Sequence, residues 1–235
     1  MCGRASLSKN EKELEDRFGS SFYSEDIERY NPVPNYNIAP NQFFPVITNR
    51  DPEYFSVFRW GLVPFWSGDS KNSFKLINAR SESIDTNKIF QGAFARRRCL
   101  IPLDGFYEWD KSKGQKQPYR FIKSDKGIFS AAGIWESWKD NGGDELFTFS
   151  ILTVKANDIV GKIHDRMPAI LFDDEERLWI DNDVKKDELK QLLKPFPSDL
   201  MFAYPVSTKL NNVRNNSPDL IVEIPEDSIL EQTIF

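Results

Sequence analysis

The stretch RCLIPLDGFYEW, residues 98–109, contains two short runs rich in β-branched, aromatic and other apolar residues. Such runs are typical of β-strands, and they predict strands at 98–103 and 106–109. Similar runs predict six further strands, at 43–48, 54–60, 74–79, 119–123, 128–138 and 146–154. Eight strands with short connections indicate an antiparallel sheet that closes, or nearly closes, into a barrel.

Helices are predicted around this sheet. Ser8 and Glu11 have the spacing of a capping box and Gly19 is a typical helix stop, so a short helix should lie between them. The segment 30–40 contains three prolines and is predicted to be extended. Further helices are predicted at 86–95, 157–162, 173–181 and 184–193. The predicted fold class is α+β, with a single domain over residues 1–235 made mainly of an antiparallel, barrel-like sheet with flanking helices.

The composition limits the kind of partner. The chain has 235 residues, of which 40% are hydrophobic, and a net charge of −5. An acidic protein is unsuited to coating nucleic acid in general, so any DNA contact must come from a local basic patch. The sequence contains no apolar run long enough to span a membrane and no secretory leader. It therefore predicts a cytoplasmic protein with free thiols at Cys2 and Cys99.

The chain offers no recognisable metal or phosphate motif. Two distant cysteines and one histidine cannot supply the usual four ligands of zinc. Neither a Gly-rich phosphate loop nor a Gly-x-Ser-x-Gly nucleophile elbow is present. The sequence therefore predicts no metal and no cofactor.

Cys2 is a candidate nucleophile of an unusual kind. Removal of Met1 would leave it with a free α-amine and a thiol on one residue, whose ordinary pKa values are about 7.7–8.0 and about 8.5. The amine of such an aminothiol condenses with an aldehyde to a Schiff base, and the thiol then closes a five-membered thiazolidine ring. The simpler interpretation is an incidental cysteine near a frayed terminus.

Other side chains suited to chemistry also have simpler explanations. Glu108 lies among three aromatic residues, and partial burial would raise its pKa toward the range useful in acid–base catalysis, but it could equally face solvent at a strand edge. His164 is the only histidine and could move protons, although a lone histidine is more often structural. Asn78 and Arg80 could hold a sugar and a phosphate, or could simply form a turn.

Two further features could contact nucleic acid. Trp66 could offer a stacking platform for an unpaired base, or it could belong to the ordinary core. The run Arg96-Arg97-Arg98 could follow phosphates, although runs of three basic residues are usually just solvated.

Taken in order, these residues resemble the SRAP family, the SOS-response-associated peptidases or abasic-site processing proteins. The similarity covers about residues 1–220. It rests on Met1-Cys2-Gly3-Arg4, Tyr36-Asn37-Ile38-Ala39-Pro40, Trp60-Gly61-Leu62-Val63-Pro64 with Trp66, Asn78-Ala79-Arg80-Ser81-Glu82, Arg98-Cys99-Leu100-Ile101-Pro102, Gly105-Phe106-Tyr107-Glu108-Trp109, His164-Asp165-Arg166-Met167-Pro168, Pro205-Val206-Ser207 and Asn211-Asn212-Val213.

The resemblance implies a site and a substrate. Cys2 would be the nucleophile, Asn78 would position its amine and the sugar, Glu108 would act as acid and base, and His164 would assist proton transfer. The DNA-binding residues would be Arg4, Asn37, Pro40, Trp66, Arg80 and Arg166. The implied partner is single-stranded DNA with abasic sites. The sequence itself predicts a monomer without metal or cofactor in a bacterial cytoplasm.

Three functions follow as hypotheses. The first is a sensor of abasic sites in single-stranded DNA that forms a thiazolidine crosslink through Cys2 after autoprocessing removes Met1, with lyase-like chemistry. The second is an N-terminal-cysteine peptidase or amidohydrolase acting on peptides, which would need an oxyanion hole. The third is a non-covalent reader of modified DNA bases, in which Cys2 is idle. The aminothiol, the carboxylate and the arginines favour the first.

Overall fold

The computed structural model describes residues 2–70, 75–111 and 116–225. Numbered in chain order, its strands are β1 Ala5–Leu7, β2 Ser21–Phe22, β3 Asn35–Ile38, β4 Phe43–Thr48, β5 Tyr54–Trp60, β6 Asn78–Arg80, β7 Arg98–Leu103, β8 Gly105–Asp110, β9 Gln117–Lys123, β10 Phe129–Lys139, β11 Glu145–Lys155, β12 Arg166–Pro168, β13 Ile170–Leu171 and β14 Met201–Pro205. Its α-helices are α1 Glu11–Phe18, α2 Ser24–Tyr30, α3 Gln91–Arg96, α4 Asp173–Ile180 and α5 Lys186–Gln191.

Five of the strands close into a barrel. The strands β11, β10, β7, β4 and β5 pair antiparallel in that order. A parallel pairing of Arg59–Trp60 on β5 with Thr148–Phe149 on β11 then completes the ring. Gly133 lets β10 and β7 pack closely, since a Cβ there would lie 2.5 Å from Ile101 Cδ1. The predicted α+β fold with a barrel-like sheet is confirmed.

A second antiparallel sheet extends from the barrel. Its strand order is β14, β9, β8, β1, β3. Only Asp104 separates β7 from β8, so the chain passes directly from the barrel into this sheet. Because β1 pairs with β8, the N-terminal residues are held against the segment that carries Glu108.

Arg98, the last residue of the arginine run 96–98, has a structural role. Arg98 is 1% exposed, and its guanidinium donates to the carbonyls of Phe94 and Ala95 in α3 and of Trp179 and Asp181 at the end of α4. These acceptors are carbonyls that a helix C-terminus leaves unpaired. Arg98 thus caps two helices, which places it outside any surface that could follow phosphates.

The predicted helices are partly corrected. The capping box of α1 is formed by Asn10 and Glu13, whereas Ser8 donates to Asp104. Gly19 does end the helix, in the left-handed conformation. The predicted helix at 86–95 begins only at Gln91, and the one at 157–162 shortens to a 3₁₀ turn at Val160–Lys162. The helices predicted at 173–181 and 184–193 are present as α4 and as the shorter α5.

Two further differences have a local cause. Helix α2 was not predicted, because it buries no residue and therefore shows no apolar periodicity. The strand predicted at 74–79 is found only as β6, and its first residue, Phe74, lies outside the described residues. No helix in the described ranges combines the length and apolar character needed to span a membrane.

Candidate active site

Cys2 lies just before β1, whose partner strand β8 carries Glu108. Its side chain is fully buried, and its Sγ is 3.8 Å from the carbonyl oxygen of Arg4. The Nδ2 of Asn78, the first residue of β6, donates to the carbonyl oxygen of Cys2 at 2.8 Å. The backbone N–H of Tyr107 donates to the carbonyl oxygen of Arg4, which extends the pairing of β1 with β8 toward Glu108. Cys2 is therefore held between β6 and β8 and is not a frayed terminus.

The Glu108 side chain is buried, as its aromatic neighbours predict. It is 5% exposed, and burial raises its pKa from 4.5 to about 7. Burial, followed by the nearby Glu108 charge, raises the pKa of the Cys2 thiol to about 12. The two groups therefore resist being ionised together, which suits a carboxylate that takes a proton from the thiol only during a reaction.

His164 lies in the turn before β12. Its Nδ1 is 3.0 Å from the backbone nitrogen of Arg166 and 3.0 Å from Oδ1 of Asp165. The contact with the Arg166 N–H requires an unprotonated Nδ1, whereas the contact with the Asp165 carboxylate requires a protonated one. Burial lowers the pKa of His164, and the Asp165 side chain is 83% exposed, so we favour the neutral ring with Nδ1 as acceptor. The proton then resides on Nε2.

Glu108 and His164 line a cleft of about 700 Å³. Its other walls include four basic side chains that come from separate parts of the chain: Arg4, Lys111, Lys116 and Lys162. The three lysines do not stand out in the sequence, because isolated lysines are common on any surface. Their positions in the sequence, near the motifs that contain Glu108 and His164, could have indicated that they lie at the site. Glu108 and Asp110 are its acidic lining residues, so the cleft is a locally basic patch on an acidic protein.

Arg4 is fixed at the wall of this cleft. Its Nη1 donates to Oδ1 of Asn37 at 2.6 Å and to the carbonyl of Leu210 at 2.8 Å, and its guanidinium lies 5.5 Å from the Trp109 ring centre. Asn37 itself is 1% exposed, and its Nδ2 donates to the carbonyls of Leu210, Asn212 and Asn215. These contacts favour a scaffolding role for Asn37 over the predicted contact with DNA.

The two other predicted phosphate ligands differ in exposure. Arg80, at the end of β6, is exposed. Arg166 is 8% exposed, and its Nη1 and Nη2 donate to the two carboxylate oxygens of Glu82 at 2.5 Å and 2.9 Å. The Arg166 guanidinium therefore already has an anionic partner, and its predicted role as a phosphate ligand stays a prediction.

Trp66 and Pro40 lie outside the cleft lining. Trp66 is 60% exposed on a turn closed by the Ser67 N–H and the Pro64 carbonyl, so it is not a core residue. Pro40 is half-buried just after β3. Their predicted contacts with DNA stay predictions. Within residues 2–70, 75–111 and 116–225, no group of three or more His, Cys, Asp or Glu side chains could hold a metal ion.

The geometry is that of a β-rich domain in which an amide holds the buried Cys2, while a carboxylate and an imidazole line a basic cleft. Residues 1–213 match the family described as "SOS response associated peptidase (SRAP)". The chain belongs to the SRAP family.

Similar proteins come from bacteria and vertebrates. The abasic site processing protein YoqW of Bacillus subtilis is 37% identical, over 94% of this chain and 99% of its own. The abasic site processing protein HMCES of Mus musculus is 32% identical, over 99% of this chain and 78% of its own. A crystal structure of a protein from Bacteroides thetaiotaomicron, 31% identical, covers 95% of this chain and 100% of its own with a TM-score of 0.88.

Proposed function

We propose that this protein captures abasic sites in single-stranded DNA by forming a covalent bond through Cys2. The observation that carries the proposal is the position of Cys2, which is held by Asn78 next to Glu108, where a basic cleft begins. The names of the relatives, abasic site processing proteins, support the substrate. An aldehyde flanked by phosphates fits an aminothiol beside basic side chains better than a peptide bond does.

The proposed reaction joins the aminothiol to the ring-opened sugar. Once Met1 is removed, the α-amine of Cys2 adds to the aldehyde carbon, and loss of one water gives a Schiff base. The sulfur then bonds to the imine carbon while the thiol proton reaches the nitrogen, which closes a thiazolidine. One C–N and one C–S bond form, one water leaves, and nothing is oxidised or reduced. Ring closure is intramolecular and is therefore strongly favoured.

Each neighbouring side chain has a part in this sequence. Glu108 accepts the thiol proton and returns it to the nitrogen, since a carboxyl with a pKa of about 7 exchanges protons readily near neutrality. Asn78 fixes the Cys2 backbone, and its Oδ1 is buried with no hydrogen-bond partner among the described residues, so it can accept from the amine or the sugar. His164 offers its Nε2 proton to the departing water.

The direct test is a crosslinking reaction. Protein shown by mass spectrometry to lack Met1 is mixed with an oligonucleotide containing one abasic site and run on a denaturing gel without borohydride. A shifted, heat-resistant band is expected. Its absence with correctly trimmed protein would reject the proposal and favour the peptidase or the non-covalent reader.

The lysines of the cleft are expected to set the salt dependence of DNA binding. For single strands, each neutralised phosphate contributes a slope of about −0.7 to the logarithm of affinity against that of salt. Replacing Lys111, Lys116 and Lys162 by glutamine should therefore reduce the slope by up to about 2. Fluorescence anisotropy with an intact oligonucleotide measures this without the covalent step. The same change at Lys139, Lys155 and Lys185, none of which lines the cleft, is the control, and equal slopes in both triple variants would contradict the assignment.

We further propose that the chain removes Met1 itself. The Cys2 thiol would attack the Met1 carbonyl through a five-membered ring, and water would hydrolyse the resulting thioester, with Glu108 moving the protons. Glu108→Gln should then retain Met1, as intact mass spectrometry of the purified variant would show. An aminopeptidase selects by the second residue, which this variant leaves unchanged, so complete trimming of Glu108→Gln would assign the step to an outside enzyme.

A further inference from the structure

Strand β1 holds the N-terminal residues against β8 over a short length. It consists of Ala5–Leu7 and pairs with β8 at Ala5 and Ser6. Its pairing with β3 on the other side shifts register between Ala5 and Leu7. The first residues of a domain are poorly ordered unless other contacts tie them down. The position of Cys2, just before β1, therefore depends on further contacts.

Asp104, the residue between β7 and β8, supplies such contacts. It is 5% exposed. Its Oδ1 accepts from the Ser6 hydroxyl at 2.6 Å, and its Oδ2 accepts from the Ser8 backbone N–H at 2.8 Å and from the Ser8 hydroxyl. The N–H of Asp104 in turn donates to the carbonyl of Ser6 at 3.0 Å. One carboxylate therefore holds β1 both within the strand and directly after it.

Arg120, on β9, fixes this carboxylate in place. Its Nη2 donates to Oδ1 of Asp104 at 2.8 Å, and its Nε donates to the Ser6 hydroxyl oxygen at 3.2 Å. Its Nη1 donates to the Tyr204 hydroxyl on β14 at 2.8 Å. The Arg120 and Asp104 side chains are 7% and 4% exposed, and a buried polar network whose members are bonded to one another favours a single arrangement. The network thus joins β1 to β9 and β14 as well as to β8.

Gly105, the first residue of β8, leaves room for the network. A Cβ at this position would lie 2.7 Å from Nε of Arg120 and 3.0 Å from Oγ of Ser6. These two atoms are hydrogen-bonded to each other, so neither can move aside without breaking that contact. A side chain at residue 105 would therefore separate the Arg120 guanidinium from β1.

We propose that Asp104 is a positioning residue, which through Ser6 and Ser8 holds β1 in the register on β8 that places Cys2 near Glu108. A slip of β1 by one residue would move Cys2 by about 3.3 Å and turn the side chains of the strand to the opposite face. The inference deepens the proposed function and rests on it. Asp104 touches no substrate and transfers no proton in this account.

Amide hydrogen exchange tests the position of β1 without any reaction. Asp104→Asn keeps the size of the side chain, but its amide group cannot accept from both Ser6 and Ser8 as the carboxylate does. The N–H of Tyr107, which donates to the Arg4 carbonyl, should exchange at least about 10-fold faster in this variant than in wild type. The N–H of Gly61, which donates across the closure of the barrel, is the internal reference. Equal acceleration at both amides would show a loss of overall stability alone and would overturn the proposal.

Glu136→Gln is the matched control for this measurement. Glu136 is 4% exposed and pairs with Arg97, so its replacement also removes one carboxylate from a buried ion pair, but on β10. The exchange of the Tyr107 N–H relative to that of Gly61 should stay as in wild type. A selective acceleration at Tyr107 in Glu136→Gln would mean that any lost buried charge loosens β1, which would also overturn the proposal.

The reaction provides the second measurement. Asp104→Asn lacking Met1 should crosslink abasic DNA about 10- to 100-fold more slowly than wild type at saturating DNA, because a small misplacement of a reacting group is costly. Its affinity for an intact oligonucleotide should be unchanged, since neither Asp104 nor its three partners Ser6, Ser8 and Arg120 include a cleft-lining residue other than by backbone connection. A fall in affinity that accounts for the slower reaction would contradict a positioning role.

Ser8→Ala is a milder second variant, because it removes one hydroxyl and leaves no charge unpaired. It should slow crosslinking in the same direction by a smaller factor, and it decides the question if Asp104→Asn does not fold. A wild-type rate in folded Asp104→Asn, or in Ser8→Ala where that variant decides, would overturn the proposal. If wild type itself forms no crosslink, the proposed function fails, while the exchange rates still decide whether Asp104 holds β1.

Discussion

Replacing Cys2 by serine is expected to abolish the heat-resistant crosslink to abasic DNA. Serine keeps the α-amine and can still form a Schiff base, but its hydroxyl is a much weaker nucleophile than a thiol for closing the ring. The remaining imine hydrolyses on heating. A gel run after heating should therefore show no band for Cys2→Ser, whereas borohydride added before heating should trap one.

The matched control is Cys99→Ala. Cys99 is also fully buried, but it lies on β7, next to Gly133 of β10. Its replacement should leave the band unchanged, provided that the melting curve shows a folded protein. A heat-resistant band from Cys2→Ser would mean that another residue forms the bond. Loss of the band in a folded Cys99→Ala would mean that the Cys99 thiol takes part in it.

The barrel strands could be predicted because each is rich in β-branched, aromatic and other apolar residues. The predicted strands 43–48, 54–60 and 98–103 coincide with β4, β5 and β7. The parallel pairing that closes the barrel could not be predicted, since it joins Trp60 to Phe149 and no local pattern specifies so distant a partner. Strand β1 was missed because three residues carry too little pattern, although it is the strand that brings Cys2 to Glu108.

The sequence predicts a site residue when its side-chain type and its sequence neighbours alone suggest its role. Cys2 and Glu108 stand out by type and by neighbours, and the structure brings them together. The states of Arg166 and Asn37 depend on partners distant in sequence, Glu82 for the first and the loop 210–215 for the second. A guanidinium that looks suited to phosphate in the sequence can therefore be occupied by a carboxylate in the fold.

Glu108→Gln is expected to lower the crosslinking rate of protein lacking Met1 by about 10²- to 10⁴-fold, the usual contribution of a general acid–base group. The trimmed variant can be made by fusing residue 2 to a removable leader. In wild type the rate should rise with pH through a midpoint of about 7, since the carboxylate form takes the thiol proton. The variant should lose this rise and keep only the titration of the α-amine, whose ordinary pKa is about 7.7–8.0.

Two variants test the assignment of this pH dependence. His164→Gln should keep the midpoint at about 7, because burial lowers the pKa of His164 below its ordinary value of about 6.5. Glu136→Gln removes another buried carboxylate, which pairs with Arg97 away from the cleft, and should change neither rate nor midpoint. A midpoint near 7 that survives in Glu108→Gln would assign the titration to the amine alone.

The raised pKa of Glu108 also predicts how stability depends on pH. The ionised carboxylate that speeds the reaction should destabilise the fold. The pKa of Glu108 is higher in the folded chain than in the unfolded one, so its contribution favours the fold below about 4.3 and is lost as pH rises through about 7. One pKa unit corresponds to about 1.4 kcal/mol, so the rise from 4.5 to about 7 lowers the stability of wild type by up to about 3 kcal/mol at pH 8.

Glu108→Gln should therefore unfold at a higher urea concentration than wild type at pH 8, and this difference in stability should shrink toward pH 4. A variant less stable than wild type at pH 8 would show that the Glu108 carboxylate is stabilised by its partners in the site, and the base would then be too weak for the reaction proposed here.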